Sequence, residues 1–119
     1  MAFPGTYNFN YYRGDTFEFI IRPKDANGES FQLDTFNTAV FVIADGRGPS
    51  TSITRVNASA EINNQNDIIT CRIAPNVGIQ LDKDKTWEYD VQISNQAGTT
   101  VYTILTGRIT VTEDIAGAV

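Results

Sequence analysis

Residues 87–94, Trp-Glu-Tyr-Asp-Val-Gln-Ile-Ser, alternate strictly between apolar and polar side chains. Such alternation is typical of a β-strand that has one face in the core and the other in water. The same period recurs in residues 17–22 and 108–112, and residues 39–44 (AVFVIA) are apolar throughout, as in a central strand. Because helical periodicity is nearly absent, we predict an all-β fold.

Turn residues separate these apolar runs. Asn27-Gly28 and residues 95–98 favour hairpin turns, and residues 45–49 (DGRGP) cannot continue a strand. Residues 75–85 begin with a proline, which suits the first turn of a helix, and they predict a short helical crossover. Gly107 predicts a bend or bulge within the last strand. We therefore expect strands near residues 6–12, 15–23, 38–44, 52–61, 67–74, 86–94 and 100–112.

About seven strands joined by short turns indicate a single antiparallel β-sandwich of the immunoglobulin-like class. The chain has 119 residues, which suits one domain. We assign residues 1–12 to an N-terminal arm or first strand, 13–115 to the sandwich and 116–119 to a C-terminal tail. The single cysteine, Cys71, is expected to be a small buried hydrophobe. The other residues predicted to lie in or near the core are Phe19, Phe41, Ile43, Ile69, Ile73, Trp87, Tyr89, Val91, Ile109 and Val111.

The composition argues against two classes of partner. The net charge is −5 and no basic run is present, whereas nucleic-acid binding depends largely on neutralising phosphates. No apolar run approaches the roughly 18 residues that span a bilayer, and the first residues lack the features of a signal peptide. We therefore expect neither a nucleic-acid partner nor a membrane partner.

Residues suited to catalysis are scarce. The chain has no histidine and one cysteine, which removes the usual general base, the histidine-dependent triads and the familiar zinc sites. We therefore expect no enzyme activity, no catalytic residue, no metal and no cofactor. Calcium binding by Asp82 and Asp84 is an alternative, but the interleaved Lys83 and Lys85 favour a solvated mixed-charge turn.

Two short motifs have an ordinary structural explanation. Arg13-Gly14-Asp15 matches the integrin-recognition tripeptide, but glycine and aspartate just before a strand favour a turn. Asn57-Ala58-Ser59 matches the glycosylation acceptor pattern, and in the absence of a secretory signal we interpret it as strand sequence.

The N-terminus is rich in aromatic residues. Tyr7, Phe9 and Tyr11 share one face if the segment is extended. One hypothesis is an ordinary first strand that covers the core. The other is an arm that docks on a neighbouring subunit, because aromatic side chains are enriched at interfaces; a chain without residues 1–10 would then fold but not assemble. The candidate partner-binding residues are Phe3, Tyr7, Phe9, Tyr11 and Tyr12.

Several short elements follow one another in order between residues 12 and 115. They are Gly14-Asp15, residues 20–28, Leu33-Asp34, residues 39–44, Leu81, residues 87–92 (WEYDVQ) and residues 107–114 (GRITVTED). Together they resemble a family of small β-domains in structural proteins of tailed phages and prophages, which includes the N-terminal domain of baseplate upper proteins. The aromatic N-terminus is not part of that pattern.

The resemblance implies a non-enzymatic bacteriophage virion structural protein, assembled in the cytoplasm of the bacterial host. Its partners would be other phage structural proteins, present in multiple copies in a symmetric assembly. Tail, baseplate, collar and capsid decoration all remain open as its location. The alternative is a carbohydrate- or host-surface-binding β-sandwich, which would need a platform of exposed aromatic side chains.

Overall fold

A computed structural model describes residues 4–48 and 51–112 of the chain. It confirms the prediction of an all-β chain with one helical turn, and each of the predicted strands overlaps an observed one. The elements are β1 (Gly5–Thr6), β2 (Phe9–Tyr12), β3 (Phe17–Ile21), β4 (Phe36–Ala44), β5 (Arg55–Asn63), β6 (Ile68–Ile73), α1 (Pro75–Gly78), β7 (Trp87–Asn95) and β8 (Val101–Thr112). No helix in the described ranges is long and apolar enough to cross a membrane.

The strands form one curled, mixed sheet that resembles half of a barrel. Its order is β1-β8-β7-β4-β5-β6-β3, and β2 also pairs with β8. Both β1 and β2 run parallel to β8, whereas the other strand pairs are antiparallel. The prediction of two separate antiparallel sheets is corrected in this respect. Because β5 pairs with β4 through residues 55–58 and with β6 through residues 59–63, hydrogen bonding continues from one half to the other.

The concave side of the sheet encloses the core. Of the predicted core residues, Phe19 is partly buried and the others are buried. Trp87 is 1% exposed, and its indole N–H donates to the carbonyl oxygen of Asp82 at 2.8 Å. A buried tryptophan needs such a partner for its donor. The alternation in residues 87–94 therefore predicted both the strand and its inward face.

Gly107 has a different role from the predicted bend. The irregularity between β7 and β8 falls at Ile104, because Val91 pairs with Leu105 and Gln92 with Thr103. A Cβ on Gly107 would lie 1.9 Å from the carbonyl oxygen of Tyr7. Glycine at this position therefore allows the N-terminal segment to approach β8 closely.

Helix α1 packs against the core through Val77. Pro75 occupies its first turn, where a missing backbone N–H costs nothing. The Tyr11 side chain of β2 reaches this turn, and its hydroxyl group donates to the carbonyl oxygen of Asp15 at 2.6 Å. A Cβ on Gly78 would lie 1.6 Å from the Tyr11 hydroxyl oxygen. Leu81, just after the helix, is fully buried.

Candidate functional site: a free strand edge beside an aromatic seam

The N-terminal aromatic residues divide into two groups. Phe9 and Tyr11 are buried, with exposed fractions of 8% and 1%, because β2 is a paired strand of the sheet. Tyr7 and Tyr12 remain 42% and 54% exposed. Phe3 lies outside the described residues. The fold therefore favours the core-strand hypothesis for Phe9 and Tyr11, and it leaves Tyr7 and Tyr12 accessible to a partner.

The two ends of the curled sheet meet at an aromatic seam, formed by Tyr7, Phe9 and Tyr11 from one end and Phe17 and Phe19 from the other. The rings of Phe9 and Phe17 stack with centroids 4.5 Å apart. Edge-on contacts join Tyr7 to Phe19 at 5.6 Å and Tyr11 to Phe17 at 6.3 Å. Because no backbone pairing between β2 and β3 is seen in the described residues, aromatic contacts link the two ends.

Strand β3 lies at one end of the sheet and has a free edge. It pairs with β6 on one side, and among the described strands none pairs with its other side. Within the described residues its backbone N–H and C=O groups on that side have no strand partner, and such groups can pair with another extended chain. Ile20, on the outer face near the end of the strand, is 46% exposed.

Two charged residues flank Ile20 in the sequence, one within β3 and one just after it. Glu18 precedes it by two positions, and Arg22 follows it by two, just after the strand. Both side chains are exposed, and neither makes a hydrogen bond or ion pair with another described residue. Residues i and i+2 share one face of a strand. Glu18 and Ile20 therefore share the outer face of β3, and the exposed Arg22 follows directly after the last residue of the strand.

The Arg13-Gly14-Asp15 motif forms the predicted turn between β2 and β3. Gly14 has a φ of 89°, which favours glycine. The Arg13 guanidinium donates to the carbonyl oxygen of Ile79 at 2.6 Å, which holds the turn against the segment after α1. The motif is thus built into the fold, as the turn interpretation predicts.

A second polar cluster, which the sequence analysis missed, covers the outer face of β7 and β8. The Arg47 guanidinium contacts carboxylate oxygens of Glu88 at 3.0 Å and of Asp90 at 3.1 Å, and it donates to the Thr106 hydroxyl at 2.8 Å. These hydrogen bonds raise the pKa of Arg47. The alternating acidic residues of β7 were visible in the sequence, but the distant arginine that meets them was not.

The loop after β4, which carries Arg47, is also held in place through Asp45. Lys85 Nζ lies 3.1 Å from a carboxylate oxygen of Asp45, and the backbone N–H of Thr54 donates to the other oxygen at 2.8 Å. The hydrogen bond from Thr54 and the contact with Lys85 lower the pKa of Asp45. Together with the Arg47 contacts, this pair fastens the loop after β4 to the sheet, which is a structural role.

The acidic segment after α1 has the features of a solvated turn. A carboxylate oxygen of Asp82 accepts the backbone N–H of Asp84 at 3.0 Å, and Lys83 Nζ lies 3.6 Å from Asp84. The described residues contain no group of three or more acidic, cysteine or histidine side chains that could hold a metal ion.

Two side chains that could react or bind a ligand if they were exposed, Cys71 and Trp87, are enclosed by the core. Cys71 is fully buried, as predicted, and burial raises the pKa of its thiol to about 12. A thiol that stays protonated is a poor nucleophile and a poor metal ligand. Trp87, the single tryptophan, is also buried. It cannot serve as the exposed platform that the carbohydrate-binding alternative needs.

Comparisons with known proteins do not identify a family for this chain. No protein-family model matches the chain, and no curated protein does. Among solved structures, the chain is similar to part of a family 123 glycoside hydrolase from Clostridium perfringens, studied for the hydrolysis of glycolipid glycans. The identity is 12% and the TM-score 0.36, over 91% of this chain and 23% of the hydrolase. At that TM-score, the likeness carries no argument about function.

Proposed function

We propose that this chain is a non-enzymatic structural subunit of a bacteriophage virion, and that it works by docking on neighbouring subunits. The observation that carries the docking part is the unpaired edge of β3, a strand on which Ile20 is exposed. Exposed strand edges invite pairing with other chains, so proteins either block such edges or use them.

The edge of β3 lacks the usual blocking features. Residues 17–21 contain no proline and no lysine, and Glu18 is their only charged residue. The strand is five residues long, which is an ordinary length rather than a shortened one. A strand of ordinary length, with a single charged residue inside it, supports use of this edge as a binding surface.

We base the virion part of the proposal on the resemblance of residues 12–115 to phage structural domains. Leu33 and Leu81, two of the elements that carry the resemblance, are fully buried and so occupy core positions. Their burial supports a shared structural pattern. Tail, baseplate, collar and capsid decoration remain the proposed locations.

We also infer that the curled sheet is an immunoglobulin-like sandwich whose layers are joined by β5. The ring centroids of Phe19 on β3 and Phe41 on β4 lie 5.6 Å apart, which supports two faces packed against each other. A crystal structure is expected to show β3 and β6 facing β4 and β7 at about 10 Å. An open trough without facing layers would contradict this.

The functional proposal is tested by the protein content of virus particles purified from the source of the gene. Quantitative mass spectrometry is expected to find the chain in a constant ratio to the other structural proteins. Occurrence only in the soluble fraction of infected cells would overturn the virion proposal.

A further inference from the structure

We propose that two copies of this chain join through β3, in an antiparallel two-fold pairing centred on Ile20. This deepens and rests on the proposed docking function, because it names the neighbouring subunit as a second copy. The two claims can fail separately. The pairing is measured with the purified chain alone, whereas the functional proposal is measured in virus particles.

The pairing follows from the geometry of the free edge. An added antiparallel strand would satisfy the backbone groups that β3 leaves unpaired on its outer side. With Ile20 on the two-fold axis, each Ile20 lies opposite the Ile20 of the other copy. Side chains directly opposite in such a pair have Cβ atoms about 5 Å apart. The two isoleucines, each 46% exposed in the single chain, would then cover one another.

The charges of Glu18 and Arg22 favour a second copy of the chain as the partner, and they favour the register centred on Ile20. In this register, Glu18 of each copy lies opposite the partner's Arg22, and the two-fold axis generates the contact twice. Opposite charges directly across a strand pair stabilise it, whereas like charges destabilise it. Glu18 and Arg22 make no ion pair and no side-chain hydrogen bond with another described residue. The row of Glu18, Ile20 and Arg22 is therefore complementary to itself.

The side chains of the neighbouring strand β6 are compatible with this pairing. Arg72 of β6 pairs with Glu18 in the register of the sheet, so Glu18 would lie between two basic residues, its own Arg72 and the partner's Arg22. Thr70 of β6 pairs with Ile20 and places no charge beside the apolar centre. A register centred on Phe19 would instead place Glu18 opposite the partner's Ile20, and the ion pairs would be lost.

Sedimentation equilibrium of the full chain tests the pairing across a wide range of protein concentrations. A five-residue edge makes a small interface, so weak association is expected. The weight-average mass should rise with concentration from 13.1 kDa towards twice that value. Ile20→Lys should keep the chain monomeric, because lysine at a strand edge opposes pairing. Val40→Lys is the matched control: Val40 is 42% exposed on the interior strand β4, so dimerisation should persist.

A charge exchange tests the register. Glu18→Arg and Arg22→Glu should each weaken dimerisation roughly tenfold or more, because each variant places like charges opposite one another twice. An equimolar mixture of the two variants should recover association, because both charge pairs then attract. A wild-type chain that stays monomeric at every concentration would overturn the proposal. So would a dimer that Ile20→Lys leaves intact, or a mixture that associates no better than either variant alone.

Discussion

The hydroxyl group of Tyr11 occupies the space that a side chain on Gly78 would need. The hydroxyl oxygen would lie 1.6 Å and the ring carbon Cζ 2.6 Å from a Cβ at that position. Since Tyr11 is held by the hydrogen bond to Asp15 and by the surrounding core, it has little freedom to move aside. The contact joins β2 to the only helical turn in the described ranges. Their close packing requires glycine at position 78.

Replacing Gly78 with alanine is therefore expected to destabilise the fold by about 1–3 kcal/mol, the usual cost of overpacking a core. Removing the hydroxyl group with Tyr11→Phe should return part of that loss in the double variant, because the ring still crowds the site. Urea unfolding measures both effects. Gly5→Ala is the control, since its Cβ would meet Leu105 at an ordinary 3.7 Å. A Gly78→Ala variant as stable as the control would contradict the packing.

At the residue scale, the sequence predicts burial better than close contact. The burial of Cys71 and Trp87 follows from where they stand in alternating strands. The need for glycine at positions 78 and 107 does not, because each depends on a segment more than sixty residues away in the chain. The pairing of Arg47 with Glu88 and Asp90 could not be predicted either, because it joins a loop to a strand more than forty residues away in the chain.

At the scale of elements, β2 is the segment whose role changes most. It pairs in parallel with β8, from Phe9 opposite Ile109 to Tyr12 opposite Thr112. The Tyr89 hydroxyl also donates to the carbonyl oxygen of Tyr7, which ties the preceding residues to the core. A docking arm would need to leave the body of the domain, whereas this segment forms part of it.

Deletion of residues 1–10 is therefore expected to remove β1 and half of β2, uncover the core and abolish cooperative unfolding. Circular dichroism during thermal unfolding measures the outcome. Tyr12→Ser should keep the fold, because Tyr12 is 54% exposed. A shortened chain that unfolds as cooperatively as the full chain would restore the arm hypothesis.

Strand positions were predictable, whereas strand order was not. Alternation and turn residues locate each strand, because they reflect which side of a single strand faces the core. Pairing depends on contacts between distant segments, so neither the parallel β2–β8 pair nor the terminal position of β3 could be predicted. The aromatic N-terminus is evident from the sequence, whereas the candidate docking edge is not. Glu18, Ile20 and Arg22 acquire their importance only because β3 ends the sheet.

At the scale of the whole molecule, aromatic side chains join the two ends of the curled sheet, whereas the backbone of β3 pairs with only one described strand. The loop after β4 and the turn before β3 are both fastened to the body by ion pairs or hydrogen bonds. The apolar Ile20 and its two flanking charges have no such partner among the described residues. This contrast between secured loops and a free edge is what a subunit that pairs with a copy of itself would show.

The most direct measurement of the proposed function is the number of copies of this chain in each purified virus particle. A structural subunit should be present at a fixed copy number that matches the symmetry of its location. If the copies pair through β3, that number should be even. Trace amounts that vary between preparations and are lost on washing would contradict a structural role in the virion.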